Sequence, residues 1–152
     1  MYDVTIIGGG IVGLSIGWAI TRRYPHKRVL LLEKEHRWGH HQTGHNSGEI
    51  HGGIYYPPGS LKATFCREGN RAMVEFCREF RIPQQMCGKC VVATAPEEIP
   101  LLDHLYDRAV SNGVGVAKLS PQELKEREPH CTGVAALHVP STGIVDYQQV
   151  AE

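Results

Sequence analysis

Apolar positions fall in short blocks along the chain, separated by polar and glycine-rich stretches. "YDVTIIG" at 2–8 is a brief apolar run ending in Gly8 and predicts a buried strand. "IVGLSIGWAITRRY" predicts a helix stopped by Pro25, and "RVLLLEKE" a second buried strand. Strand, helix and strand in such a short span make one βαβ unit, with parallel strands and a right-handed crossover. Residues 36–60 show no periodicity and read as loop. A helix is expected over 60–80, with Leu61, Phe65, Met73, Phe76 and Phe80 facing inward and Gly69 as a weak spot. "KCVVATA" reads as a strand. Residues 96–113 form an amphipathic helix with Ile99, Leu102, Tyr106, Ala109 and Val110 inward, closed by Asn112-Gly113. "SPQE" from Ser120 is a capping box with proline at the first helical position, so a short helix ends before Pro129. "GVAALHV" is a further strand. Asp146 then caps a last helix, with Gln149 at the third position of a capping box.

The order of these elements predicts an α/β fold. It begins with an N-terminal βαβ unit of Rossmann type and continues into the start of an α+β domain. Residues 1–80 are expected to be the first part of a dinucleotide-binding domain, 81–145 a partial second domain, and 146–152 the start of a helix. A doubly wound sheet needs more parallel strands than one βαβ unit supplies, and the last helix stops within two turns. The chain therefore reads as the N-terminal part of a longer protein.

Composition narrows the function classes. With 41% hydrophobic and 21% charged residues and a formal net charge of zero, the chain is of the soluble globular type and has no basic footprint for nucleic acid. Five cysteines, an odd number without a signal peptide, point to reduced thiols in a cytosol-like compartment. The longest apolar runs are too short to span a bilayer.

"GGGIVG" sets Gly8, Gly10 and Gly13 in G-x-G-x-x-G spacing between a strand and a helix. Gly8 allows the tight turn, Gly10 allows close approach of a pyrophosphate, and Gly13 lets the helix pack on the strand. Glu33 closes the second strand, where a carboxylate accepts hydrogen bonds from ribose hydroxyls and repels a 2′-phosphate. NADP is thereby disfavoured. The extreme N-terminal position, the additional Gly17 and the loop that follows favour FAD over NAD.

That loop holds the densest chemistry. Residues 41–60 carry three His, five Gly and two Tyr. Thr43, Gly44, His45, Asn46, Ser47 and Gly48 offer backbone donors and close approach for a flavin ring. His45 and His51 are the candidate proton acceptors for oxidation of a hydroxyl group, although each could instead be a loop histidine bonded to backbone. His40 and His41 read as solvated or as loop supports. Lys62, Arg67, Arg71 and Lys89 are available to an anionic substrate. Cys87 and Cys90 form a C-x-x-C that leads into a strand rather than a helix, and no metal site is expected. Cys66 and Cys77 read as small core residues.

"HQTGHNSGEIHGGIYYPPGSLKATFCREGNRA", with "CGK" at 87–89, "REP" at 127–129 and "TGIVDY" at 142–147, resembles the L-2-hydroxyglutarate dehydrogenases and oxidases. These are D-amino-acid-oxidase-like FAD flavoenzymes, and the resemblance runs over essentially the whole chain. It implies a two-domain FAD enzyme that oxidises L-2-hydroxyglutarate to 2-oxoglutarate by hydride transfer to flavin N5. The implied substrate is a small 2-hydroxy dicarboxylate. The electron acceptor stays open between a quinone, an electron-transfer protein and oxygen. The implied location is the cytoplasm, with peripheral contact at the inner membrane as an option, or the mitochondrion in a eukaryote. Other superfamily members, such as an amino-acid oxidase or a glycerol-3-phosphate dehydrogenase, and a non-catalytic dinucleotide-binding remnant are the competing readings. Glu49 departs from the small apolar residue usual in the family, and a carboxylate facing the flavin would oppose an anionic substrate.

Overall fold

A computed structural model describes residues 1–152. In chain order the elements are β1 (Val4–Ile7), α1 (Ile11–Arg23), β2 (Val29–Leu32), β3 (Glu49–Ile50), α2 (Leu61–Glu79), β4 (Gln84–Gln85), β5 (Lys89–Ala93), α3 (Ile99–Ser111), β6 (Ala117–Leu119), α4 (Pro121–Arg127), β7 (Ala135–Val139), β8 (Gly143–Val145) and α5 (Tyr147–Ala151). They form two compact units, Met1–Gly48 with Val145–Glu152, and Glu49–Ile144.

The first unit is the expected βαβ. β1 and β2 pair in parallel from Val4 opposite Val29 to Ile7 opposite Leu32. Gly8, at φ +111°, makes the turn into α1 in a region open only to glycine. The helix sits hard on the strand: a Cβ on Gly13 would lie 2.0 Å from the Gly8 carbonyl oxygen, so only glycine fits. Gly17, one turn on, is buried and leaves room for the Ile6 side chain. α5 returns to this unit, where the Gln148 side-chain amide donates to the Trp38 carbonyl at 2.8 Å.

The second unit is built around an antiparallel sheet in the order β5-β7-β6, with Lys89 opposite Val139 and Ala117 opposite His138. α3 lays Leu102 and Ala109 on Ala93, Leu137 and Val139. α4 closes the other cluster with Leu124 against Leu119 and Ala136. The capping box is formed: Ser120 Oγ accepts from the Glu123 N–H, while the Glu123 carboxylate accepts from the Ser120 N–H at 2.8 Å. The loop that follows β3 is anchored by Ile54, which is buried with Ala109, Val114 and Val139. The Asn112 amide ties the same loop down by donating to the Tyr56 carbonyl at 2.9 Å. A smaller sheet in the order β3-β8-β4 sets Ile50 opposite Gly143.

Several expectations are corrected. The loop over 36–60 is interrupted by a 3-10 turn at Gln42–Gly44 and by β3. On α2 the fully buried residues are Ala63 and Cys77 and the expected Met73 and Phe76 are half-buried, while Leu61, Phe65 and Phe80 are 71%, 64% and 49% exposed. Val110 likewise faces solvent, and Leu105 packs in its place. Gln149 does not complete a capping box: Asp146 accepts from the Gln148 N–H at 2.9 Å, and the Gln149 amide reaches the Asp146 carboxylate instead of the backbone. α2, grouped in the sequence reading with residues 1–80, packs within the second unit. There Arg67 donates to the Asn112 carbonyl and Asn70 to the carbonyls of His51 and Ser141. All five cysteines are free thiols, and no helix is long and apolar enough to cross a membrane.

Candidate functional site

In the first unit the glycine turn and Glu33 are joined directly. Glu33 Oε2 accepts the Gly9 N–H at 2.6 Å and Oε1 accepts the Glu35 N–H at 3.0 Å. These backbone donors, that of Glu35 first and that of Gly9 next, hold the Glu33 carboxyl below the usual carboxylate range. Each carboxylate oxygen keeps a second lone pair, so ribose hydroxyls can still bond there. Gly9 is covered by the Trp38 ring, which a Cβ would approach to 2.4 Å. α1 has no acidic residue in its first turn and two arginines in its last, so nothing on the helix competes with an anion at its positive end. Thr43 Oγ1 accepts from the Ile11 N–H at 2.9 Å, which brings the 41–48 loop to the start of α1.

That loop is internally braced. The Asn46 side chain donates to the Thr43 carbonyl at 2.6 Å and accepts from the Gly48 N–H at 2.7 Å. Gly48 lies at φ +69°, where its Cβ would sit 2.8 Å from the Val145 carbonyl oxygen. Thr43, Gly44, Asn46, Ser47 and Gly48 line one cleft of about 160 Å³ with Val145, Asp146 and Tyr147. The structure thus brings together five of the six loop residues expected at the cofactor. The sixth, His45, has its Nδ1 at 2.8 Å from the His41 carbonyl oxygen; that contact places the proton on Nδ1 and leaves Nε2 as the lone pair. A backbone-lined polar cleft, the glycine turn and the positive end of α1 suit the diphosphate and ring of a flavin dinucleotide.

His51 lies in the second unit, in a different setting. Its Nδ1 is 3.2 Å from Glu49 Oε1, and Lys89 Nζ reaches the same oxygen at 2.6 Å. Lys89 also lies 4.6 Å from the centre of the Tyr55 ring. Cys66, whose S–H points to the His51 carbonyl at 3.6 Å, has its thiol pushed up, first by burial and then by the Glu49 charge. Of the four cations expected to serve a substrate, Lys89 is tied to Glu49, Arg67 spends one N–H on the Asn112 carbonyl, and Lys62, Arg67 and Arg71 are all exposed. The Glu49–Lys89 link, the Trp38 cover and the Thr43 bond to α1 were missed by sequence reasoning. They join residues 29 to 40 positions apart for which no spacing rule exists. Glu35, His40 and His41 bring one potential ligand atom each within 4.8 Å of one another. Arg37 donates to His40 Nδ1, Lys34 lies 3.6 Å from Glu35 Oε1, and His41 Nε2 lies 3.0 Å from the same oxygen.

Residues 3–152 match the DAO family of FAD dependent oxidoreductases. The chain belongs to this family. It is 55% identical to an L-2-hydroxyglutarate dehydrogenase of Indibacter alkaliphilus over 152 residues, 99% of this chain and 38% of that protein. The mitochondrial L-2-hydroxyglutarate dehydrogenase of Homo sapiens is 48% identical over 151 residues, 99% of this chain and 33% of its own length. Among solved structures, the dithionite-reduced L-alpha-glycerophosphate oxidase of Mycoplasma pneumoniae with FAD bound superposes with a TM-score of 0.89 at 26% identity, over 99% of this chain and 40% of that one. The chain therefore spans between a third and two-fifths of the length of these relatives.

Proposed function

We propose that the protein containing this chain binds FAD and oxidises L-2-hydroxyglutarate to 2-oxoglutarate. The observation that carries this is the 55% identity to an L-2-hydroxyglutarate dehydrogenase over 99% of the chain. Gly8 turns the chain, Gly10 lets the diphosphate approach the backbone and Gly13 seats α1 on β1, while Glu33 holds the adenosine ribose. Thr43, Gly44, His45, Asn46, Ser47 and Gly48 face the flavin end. When bound, the flavin supplies the acceptor for a hydride from the substrate carbon. The chain's own part in that step is to take the hydroxyl proton. His45 and His51 are the candidates: His45 has Nδ1 bonded to the His41 carbonyl and Nε2 left to accept, and the His51 ring is half exposed beside Glu49. The substrate is a 2-hydroxy dicarboxylate, and its carboxylates need cations other than Lys89, which is tied to Glu49. Passing electrons to a quinone would bring the protein to a membrane surface; a soluble electron-transfer protein or oxygen would not. Free thiols throughout suit a reducing compartment, cytoplasmic in a bacterium and mitochondrial in a eukaryote.

Purifying the full-length protein and identifying the released cofactor by absorbance and mass tests the first half of the proposal. FAD is expected, and NAD in its place overturns it. Rapid mixing with L-2-hydroxyglutarate, the D-enantiomer, glycerol 3-phosphate and glycine tests the second half. Only the first should bleach the flavin within a turnover. Glu33→Ala should weaken FAD roughly tenfold or more, because hydrogen bonds to a charged acceptor are lost.

A further inference from the structure

We propose that Asn70 is a positioning residue: its side-chain amide fixes the backbone of His51, and through it the place of the imidazole. The role rests on the reading above that a histidine accepts the substrate's hydroxyl proton, and takes His51 as that histidine.

The chain is pliable on both sides of His51. β3 ends one residue earlier, at Ile50, whose ladder partner is Gly143. Two glycines follow, and Gly53 stands at φ +93°, in the left-handed region. A further support comes from α2. Cys66 and Asn70 are four residues apart on that helix, so their side chains leave one face a turn apart. Asn70 Nδ2 donates to the His51 carbonyl at 3.0 Å, and the Cys66 S–H points to the same oxygen at 3.6 Å. Asn70 Nδ2 also donates to the Ser141 carbonyl at 2.8 Å, two residues before β8. Two carbonyl oxygens can be met only by the amide nitrogen, so these contacts also settle which way the Asn70 amide faces.

The two bridged carbonyls extend one strand pair. β3 and β8 run antiparallel, with Glu49 opposite Ile144 and Ile50 opposite Gly143. Beyond that last pair, Asn70 links His51 to Ser141 and continues the tie with a side chain where the backbone ladder stops. Gly52 then passes close over the turn from β7 to β8: a Cβ on it would meet Ser141 Oγ at 3.0 Å and Thr142 Oγ1 at 3.1 Å. The backbone on the carbonyl side of His51 is thus set against the β7–β8 turn rather than left to the glycines. The ring itself is half exposed and reaches outward from this held backbone. Proton transfer needs the accepting nitrogen within hydrogen-bond distance of the hydroxyl, so a shift of about 1 Å at the base of the ring is costly.

The test uses the full-length protein with FAD occupancy counted. Flavin reduction by L-2-hydroxyglutarate is measured by rapid mixing over a range of substrate concentrations. The variants are Asn70→Ala, Cys66→Ala, His51→Gln, and Asn70→Ala combined with His51→Gln. Asn70→Ala should lower the limiting rate about tenfold, with FAD occupancy unchanged and substrate affinity within about twofold of wild type. Cys66→Ala removes only a weak S–H donor and should stay within about twofold of wild type. His51→Gln should slow reduction about a hundredfold or more. The double variant decides between positioning and folding. A residue that acts through His51 adds nothing once the imidazole is gone, whereas one that only holds the fold slows both backgrounds equally. Imidazole NMR signals of His51, assigned by their loss in His51→Gln, give a second readout without substrate. In Asn70→Ala they should shift or split while those of the other histidines stay. Asn70→Ser leaves room for water at both carbonyls and carries the same comparisons if Asn70→Ala does not fold. Equal slowing in both backgrounds, or an unmoved His51 signal, overturns the role of Asn70. A full rate in His51→Gln overturns His51 as the acceptor, and this proposal with it. A wild-type flavin that L-2-hydroxyglutarate leaves oxidised refutes the substrate reading instead, and the NMR arm then decides whether Asn70 places His51.

Discussion

At the scale of single residues, two glycines in helices make opposite predictions. Gly13→Ala must place a methyl group 2.0 Å from the Gly8 carbonyl oxygen, so strand and helix have to part. A loss of about 1–3 kcal/mol, together with loss of FAD binding, is expected from chemical denaturation and cofactor titration. Gly69→Ala, in the exposed middle of α2 with nothing within 4 Å of the new Cβ, should instead gain about 0.5–1 kcal/mol from helix propensity. Glu33 adds a pH dependence. Its carboxyl is depressed in the folded state, so its contribution is fully present above the ordinary carboxylate value and is lost as pH falls through the depressed one. Thermal melts between about pH 5 and pH 3 should decline less steeply in Glu33→Gln than in wild type. The glycine motif was legible in the sequence because its requirements are steric and local. Glu33 was legible as an acid at the strand end, but not as the acceptor of the Gly9 amide, since that bond forms only once β1 and β2 lie side by side.

Among the elements, those whose ends carry their own chemistry were readable. The Ser120 box is the clearest, with proline at the first position and both reciprocal bonds formed. Ser120→Ala should cost about 1 kcal/mol, visible as a lower melting temperature, whereas Gln122→Ala on the exposed side of the same helix should be close to neutral. Elements set by their partners were not readable. β3 and β4 are two residues long and β6 and β8 three, too short for any alternation to register, and each exists because a neighbour pairs with it. α2 misled in another way. Its large apolar residues at 61 and 65 suggested the buried stripe, while the face that packs carries Ala63 and Cys77, with Arg67 and Asn70 bonding to backbone carbonyls. Hydrophobic periodicity finds the greasiest face of a helix; here the first half of that face points to solvent, and only Met73 and Phe76 of it are half-buried beside Cys77.

At the scale of the whole molecule, apolar burial is distributed unevenly. Of the fifteen fully buried apolar residues, only Val145 and Ala151 belong to the first unit, and none lies on its βαβ. Ile7 is 86% exposed, and Val12, Ile16 and Leu32 are exposed as well. A parallel sheet ordinarily has both faces covered, and two strands do not suffice for that. The sequence signalled this shortage through its single βαβ unit, although where the chain divides was not legible, because residues 145–152 rejoin the first unit across a long insertion. The consequence can be measured on the isolated 152-residue chain by hydrogen exchange. Backbone amides of β1 and β2 should exchange faster than those of β5 and β7 by at least an order of magnitude, because opening the first unit exposes little apolar surface that was not already wet. The isolated chain should bind FAD weakly, and its flavin should not be reduced by L-2-hydroxyglutarate. Added FAD at high concentration should slow exchange in β1, β2 and the 41–48 loop while leaving β5 and β7 unchanged, since a ligand stabilises only the part whose folded form it binds. Protection of β1 and β2 equal to that of β7 without FAD would mean that the two-stranded unit is stable in its own right, and that burial has been the wrong measure of it.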